Sequence, residues 1–167
     1  NLDALAKQSS LGLLYPVGRG ITPGSGPGHL SLFGYDPYEN MIGRGALSAA
    51  GVGVEQTDDD ICIRVNFCSL DENGNVTDRR AGRIATELCQ TLSAKINESI
   101  SIPGIEILLV PEMDYRAVLR VRGKDLCDGV TETDSQQTGV PALASQPTDD
   151  RPGSQKLADV LNELVSQ

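Results

Sequence analysis

Ile61, Ile63, Val65 and Phe67 alternate with Cys62, Arg64, Asn66 and Cys68 over eight consecutive residues. A strand with one face buried puts every second side chain on the same side, so this run commits the chain to a β-sheet. The next fifty residues extend the unit. Asp71-Glu72-Asn73-Gly74-Asn75 carries the Asn-Gly pair of a tight hairpin turn. A helix is predicted from about Ala81 to Asn97, with Ala81, Ala85, Leu88, Leu92 and Ile96 on its buried stripe. Two further strands are predicted, Ile105 to Val110 and Arg116 to Arg122. In the second, Arg116, Val118, Arg120 and Arg122 share one face, and Ala117, Leu119 and Val121 the other. Strand, hairpin, helix, strand, strand describes a small α+β layer with its helix on an antiparallel sheet.

The first fifty residues have another texture. Asn1 to Lys7 reads as a helix with Leu2, Leu5 and Ala6 in apolar spacing, and Leu11 to Val17 as a strand buried in a parallel sheet. Gly24, Gly26 and Gly28 then crowd Ser25 against His29, the single histidine, between Pro23 and Pro27. Glycines here allow positive φ and close approach to a ligand, while the prolines stiffen the loop. His29 to Phe33 reads as a helix entered from this loop, whose free N–H groups and positive dipole end would face Ser25 and suit a phosphate. Ser25 is therefore either a nucleophile that a base or metal must activate, or a helix cap in a Gly-Pro surface loop. Arg44, between Gly43 and Gly45, reaches an anion or is a surface charge; Ala46 to Gly51 reads as a short helix, and Asp58-Asp59-Asp60 as a solvated acidic loop.

Charge narrows the partners. A formal net charge of −9 excludes general binding to nucleic acid or to anionic membranes, which need a positive field. The basic residues are ten Arg against four Lys, a bias suited to bidentate recognition of phosphate or carboxylate on a small anion. Arg79, Arg80 and Arg83 follow Asp78 at the start of the predicted helix, where the dipole disfavours cations. Either an anion shared between them explains the placement, or they form a basic surface patch partly neutralised by Asp78. Cys62, Cys68, Cys89 and Cys127 lack C-x-x-C spacing, and one histidine is too few for a zinc site, so they read as free thiols of a cytoplasmic protein. No apolar run spans a membrane and no signal peptide is read. A chain opening on Asn1 inside a helical pattern reads as a piece of a longer protein. Thr131 to Gly153 reads as a long loop or linker, and Ser154 to Val165 as a helix capped by Ser154 or Gly153, with Leu157, Val160, Leu161, Leu164 and Val165 on one stripe.

Several words of this sequence occur together, and in the same order, in one family. They are Asn1-Leu2-Asp3-Ala4-Leu5-Ala6, Pro23-Gly24-Ser25, His29-Leu30-Ser31-Leu32-Phe33-Gly34-Tyr35-Asp36-Pro37, Gly43-Arg44-Gly45, Arg64-Val65-Asn66-Phe67, Asp78-Arg79-Arg80-Ala81-Gly82-Arg83 and Tyr115-Arg116-Ala117-Val118. On these the chain resembles the archaeal-type cofactor-independent phosphoglycerate mutases of the alkaline phosphatase superfamily. The resemblance implies an α/β fold: a partial phosphatase-like core over 1–53, an inserted α+β substrate lid over 54–145, and a linker and helix returning to the core over 146–167. It implies interconversion of 3-phosphoglycerate and 2-phosphoglycerate, a glycolytic and gluconeogenic step, through a phosphoserine on Ser25. Ser25 would also ligate one of two divalent ions, manganese or magnesium. Arg79, Arg80 and Arg83 become clamps for phosphate or carboxylate, with Asp78 towards the glycerate hydroxyls and Arg44, Arg64, Asn66 and Arg116 as further substrate contacts. Closing the lid would bring the arginines over Ser25. The family's remaining metal ligands are aspartates and histidines outside Asn1–Gln167, so this polypeptide alone is expected to hold no metal pair and to be inactive. A metal-dependent phosphatase or phosphonate enzyme of the same superfamily is the alternative within the class, and a non-catalytic module for a phosphorylated metabolite the alternative outside it. Oligomeric assembly stays open.

Overall fold

Residues 1–166 are described in the computed structural model. In chain order the helices among them are α1 (Leu2–Ala6), α2 (Ser25–Leu32), α3 (Arg44–Gly51), α4 (Thr86–Ser99) and α5 (Pro152–Ser166). The strands are β1 (Asp60–Asn66), β2 (Ser69–Leu70), β3 (Val76–Asp78), β4 (Glu106–Pro111) and β5 (Arg116–Arg122). The alternating run is β1, and it joins a three-stranded antiparallel sheet in the order β1-β5-β4. Register explains the alternation. Ile61 sits opposite Val121, Ile63 opposite Leu119 and Val65 opposite Ala117, so the apolar rows meet on one face. On that face they form one core with Leu157, Val160 and Leu161 of α5. β2 and β3 form a separate hairpin around the Asn-Gly turn, where Gly74 takes φ +78°.

The chain divides into two compact units between Gly43 and Arg44, ten residues before the boundary read from sequence. Residues 44–53 go with the sheet because α3 lies against β1 and β5 and buries Ala49, whose carbonyl accepts from Val54 N–H at 2.9 Å. α5, read as returning to the first domain, packs instead on the sheet of the second unit. Its cap also differs from the expected Ser154 or Gly153. The helix opens on Pro152, and the Asp149 carboxylate accepts from Arg151 N–H at 3.0 Å and from the Ser154 hydroxyl at 2.7 Å. The stretch read as a linker is tied down. Val76 N–H donates to Val140 O and Gly139 N–H to Val76 O, each at 2.8 Å, and the Asn162 amide bonds both backbone groups of Ser145.

α4 begins at Thr86, five residues later than predicted, and its buried stripe is rotated: Cys89 and Ser93 are buried whereas Leu88 is exposed. Small side chains let the helix lie close to the sheet edge. There the Asn97 amide takes a strand's place, donating to Leu109 O at 2.9 Å and accepting from Leu109 N–H at 2.8 Å, which satisfies groups that an open edge would expose. The first unit contains α1 and α2 and, among its described residues, no strand. Leu11–Val17, expected as a buried strand, is irregular, with the Leu11, Leu13, Leu14 and Tyr15 side chains exposed. A parallel strand needs partners for its backbone and cover on both faces, and nothing in the described chain pairs with this segment.

Candidate anion site

Ser25 stands on α2 itself, not on a loop before it. The helix starts four residues earlier than predicted because Gly24 serves as its N-cap in an extended conformation, and Pro27 falls in the first turn, where a missing N–H costs nothing. Gly28 N–H closes the first helical bond to Gly24 O at 2.9 Å. Ser25 and Gly26 are then the residues whose N–H groups have no acceptor within the helix, so the Ser25 hydroxyl sits at the positive end of the dipole. The side chain is exposed and makes no capping bond. His29 reaches back one turn, its Nδ1 donating to Ser25 O at 2.6 Å, because a carbonyl oxygen can only accept.

In the second unit, three consecutive residues, the last of them the candidate Arg83, form a left-handed turn. Ala81, Gly82 and Arg83 have φ of +48°, +63° and +55°. Two of these are not glycine, and left-handed backbone costs such residues roughly 1 kcal/mol each. Asp78 holds the turn. Its carboxylate accepts from Arg80 N–H at 2.8 Å and Gly82 N–H at 2.9 Å, and these bonds keep its pKa below the ordinary carboxylate value. The arginines thus lie off the helix, and the first turn of α4 carries Glu87 instead, which removes the conflict with the dipole.

Charge accounting then separates the arginines. Arg79 forms a forked pair with Asp134, Nε to Oδ1 at 2.9 Å and Nη2 to Oδ2 at 2.6 Å, and this holds the Asp134 carboxyl low. Arg64 lies 3.8 Å from Glu112. Arg120 and Arg122 share Asp60 and Glu106, and Arg151 pairs with Asp128 and Asp149. Arg44, Arg80, Arg83 and Arg116 have no carboxylate partner among the described residues. Arg44 is an exposed first residue of α3. Arg83 and Arg116 both lie on the Tyr115 ring, at 5.9 Å and 5.1 Å from its centroid, and Asn66 is the cross-strand neighbour of Arg116. This ring, the exposed arginines of the left-handed turn, and α4, whose N-cap Ala85 makes no side-chain cap bond, form a positive surface with no direct ion pair among the described residues, Asp78 acting on Arg80 and Arg83 only at longer range. Asp134 and Tyr115 escape a reading of the sequence. The forked pair spans 55 residues and has no local signal, and the only hint of Tyr115 is its place beside Arg116.

The Asp60 cluster is neutral and structural, and it corrects the reading of Asp58-Asp59-Asp60 as wholly solvated. The Asp60 side chain is enclosed; Arg122 Nε and Nη2 donate to its two oxygens at 2.7 and 2.8 Å, and Thr57 N–H and hydroxyl donate at 2.7 and 2.9 Å. These bonds, with Arg122 first, hold its carboxyl well below the usual range. Arg120 is 9% exposed, and its Nε lacks an acceptor, with Asp60 Oδ1 3.8 Å away. A depressed folded-state pKa gives stability that is complete above the unfolded value near 4 and declines as pH falls through the folded one. Asp60→Ala is expected to cost about 2 kcal/mol at pH 7, below the range for fully buried pairs because Arg122 reaches solvent. Urea midpoints measured from pH 6 to pH 2 check both parts, since the variant should also lose some of the wild-type slope.

Among the described residues no group of three or more His, Cys, Asp or Glu side chains is gathered as a metal site. Ser25 is the lone candidate ligand, so the residues present do not by themselves fit a metal pair. No described helix is long and apolar enough to cross a membrane.

The architecture is of the α/β class, helices with an antiparallel sheet whose arginine face is partly uncompensated. A family model described as 2,3-bisphosphoglycerate-independent phosphoglycerate mutase matches residues 6–167. The chain belongs to that family. It is 48% identical over 165 residues to a probable 2,3-bisphosphoglycerate-independent phosphoglycerate mutase of Thermus thermophilus, covering 98% of this chain and 40% of the relative. A mutase of the same name from Methanobrevibacter smithii is 44% identical, with 99% and 40% covered. The solved cofactor-independent phosphoglycerate mutase of Thermoplasma acidophilum superposes with a TM-score of 0.69 at 32% identity, over 87% of this chain and 38% of that one. The chain spans about two fifths of the length of the relatives it matches.

Proposed function

We propose that this chain is the portion of a cofactor-independent phosphoglycerate mutase that carries the nucleophile and holds the substrate, acting on 3-phosphoglycerate and 2-phosphoglycerate. The observation that carries the proposal is the set of Arg80, Arg83 and Arg116, none of which has an ion-pair partner among the described residues although the chain carries a net charge of −9. Family membership supplies the substrate class. Ser25 Oγ would attack phosphorus; its bond to phosphorus forms as the bond from phosphorus to the glycerate oxygen breaks, and the serine proton passes to that oxygen. The other glycerate hydroxyl then forms its bond to phosphorus as the bond from Ser25 Oγ to phosphorus breaks, and its proton returns to Ser25 Oγ. For this the glycerate must stay bound while water is kept out, a task suited to arginines on its carboxylate.

The roles within the arginine set differ from one another in this proposal. Arg83 and Arg116, with Asn66 beside them, are the first contacts for an anion, and Arg80 adds to the field. Asp78 keeps the turn in shape and retains lone pairs for a glycerate hydroxyl. Arg79 and Arg64 would have to leave Asp134 and Glu112 to join. Arg44 is the weakest member. Residues 54–145 are proposed as the substrate lid, whose closure would bring this set over the serine. When bound in the whole enzyme, divalent ions, manganese or magnesium, would make the Ser25 hydroxyl easier to deprotonate, and of this chain only Ser25 would touch them.

The test is product analysis on the full-length protein with manganese and 3-phosphoglycerate. Accumulation of 2-phosphoglycerate without stoichiometric inorganic phosphate is the expected result. Phosphate release without 2-phosphoglycerate would establish a phosphatase instead, and saturable binding without turnover a regulatory module.

A further inference from the structure

Tyr115 is 5% exposed, yet its ring is shared by two arginines that form no ion pair among the described residues, the Asp78 carboxylate reaching Arg83 only at longer range. Two guanidinium groups on one ring repel each other, and a core tyrosine needs neither. The electron-rich face offsets part of that repulsion, and a bound anion removes the rest. We propose that Tyr115 is a positioning residue of the anion site, gathering Arg83 and Arg116 into a two-armed receptor for a phosphoryl or carboxylate group. The proposal rests on the substrate-holding role of those arginines.

Both sides of the arrangement are built. The tyrosine is anchored through its backbone: Phe67 N–H donates to Tyr115 O at 2.8 Å, and the residues flanking it are held to α4, with Asp114 N–H donating to Thr86 Oγ1 at 3.1 Å and the Cys89 thiol to Arg116 O at 3.4 Å. Arg116 Nη2 reaches the Tyr115 hydroxyl oxygen at 3.5 Å, so one arm is steered by the phenol as well as the ring. The other arm is delivered by the left-handed turn. Arg83 at φ +55° can point where a right-handed helix start would not send it, and Asp78 holds the backbone in that strained form. The Tyr115 ring is thus where the strained turn and the start of β5 converge.

The deciding experiment keeps side-chain shape constant and changes only the ring's charge distribution. In the full-length mutase, Tyr115→Phe should hold KM for 3-phosphoglycerate within about twofold. Replacing that phenylalanine by increasingly fluorinated analogues, which weaken cation attraction at nearly constant shape, should raise KM stepwise to about tenfold with kcat changed less. A purely structural role predicts no such gradient. Flat KM along the series, beside raised KM in Arg83→Ala and Arg116→Ala, overturns the role of Tyr115 alone. Unchanged KM in both arginine variants overturns the anion site and this inference with it. Arginine Nε–H proton resonances give an independent check, since ring currents should shift those of Arg83 and Arg116 upfield in wild type and not in Tyr115→Leu; absence of the shift would also overturn it.

Discussion

Gly45→Ala is expected to lower the stability of the second unit by about 3 kcal/mol or more, although Ala is the better helix former by about 1 kcal/mol. Gly45 is the second residue of α3 and is buried. A Cβ there would lie deep inside the Cys62 carbonyl and 2.7 Å from Ile63 N, all of it backbone of β1. Neither element can yield locally. β1 is held to β5 along its length, and α3 is held by the buried Ala49 and by the Gln56 amide donating to Ala46 O at 3.1 Å. The helix would have to lift off β1 and β5, against which it lies. Gly51→Ala, in the last turn of the same helix, is the control. Nothing lies within 4 Å of its added Cβ and its φ is not in the left-handed region, so it should stabilise by roughly 0.5 kcal/mol. Urea denaturation of the two variants should shift the midpoint in opposite directions. Equal shifts would mean that close approach is not what Gly45 serves.

The sequence sets Gly45 before the predicted helix and Gly51 at its end but gives no sign of the close approach of Gly45 to β1, whereas other features are plain in it. The period-2 rows of β1 and β5 are legible because one face of each strand is apolar and the register joins those faces. The Asn-Gly turn is legible from two residues. The start of α4 is not, and the objection that arginines oppose the helix dipole is the sign of it. No propensity argument produces three left-handed residues at Ala81, Gly82 and Arg83, because Asp78 supplies the compensation through bonds that only the folded turn contains. Pairings such as Arg79 with Asp134 and Asp60 with Arg122 decide which arginines stay free, and they join residues 55 and 62 apart. Sequence therefore names the arginine set as a whole but cannot divide it. Asp60 has one indirect signal: a strand face bearing Arg116, Arg120 and Arg122 requires carboxylates on a neighbouring strand. Leu11–Val17 departs from expectation for a different reason, since a parallel strand is a property of its partners as much as of its own residues.

Ser25→Ala in the full-length protein is expected to reduce kcat by at least about 10³-fold, the scale on which enzymes lose activity when a covalent nucleophile is removed. The substitution separates the two roles open to this residue. A serine acting as N-cap would cost about 1 kcal/mol of stability on conversion to Ala while leaving chemistry largely intact. Gly24 occupies the cap position, however, and the Ser25 side chain makes no capping bond. α2 should therefore form equally well with Ala at its first position, and the His29 bond to the Ser25 carbonyl is a backbone contact that survives the change. Unchanged circular dichroism and melting temperature with activity lost would place the effect on the hydroxyl. Residual activity within about tenfold of wild type would remove Ser25 as the nucleophile. Its position at the positive end of α2 would then favour a helper role, stabilising negative charge on a phosphate that another group attacks.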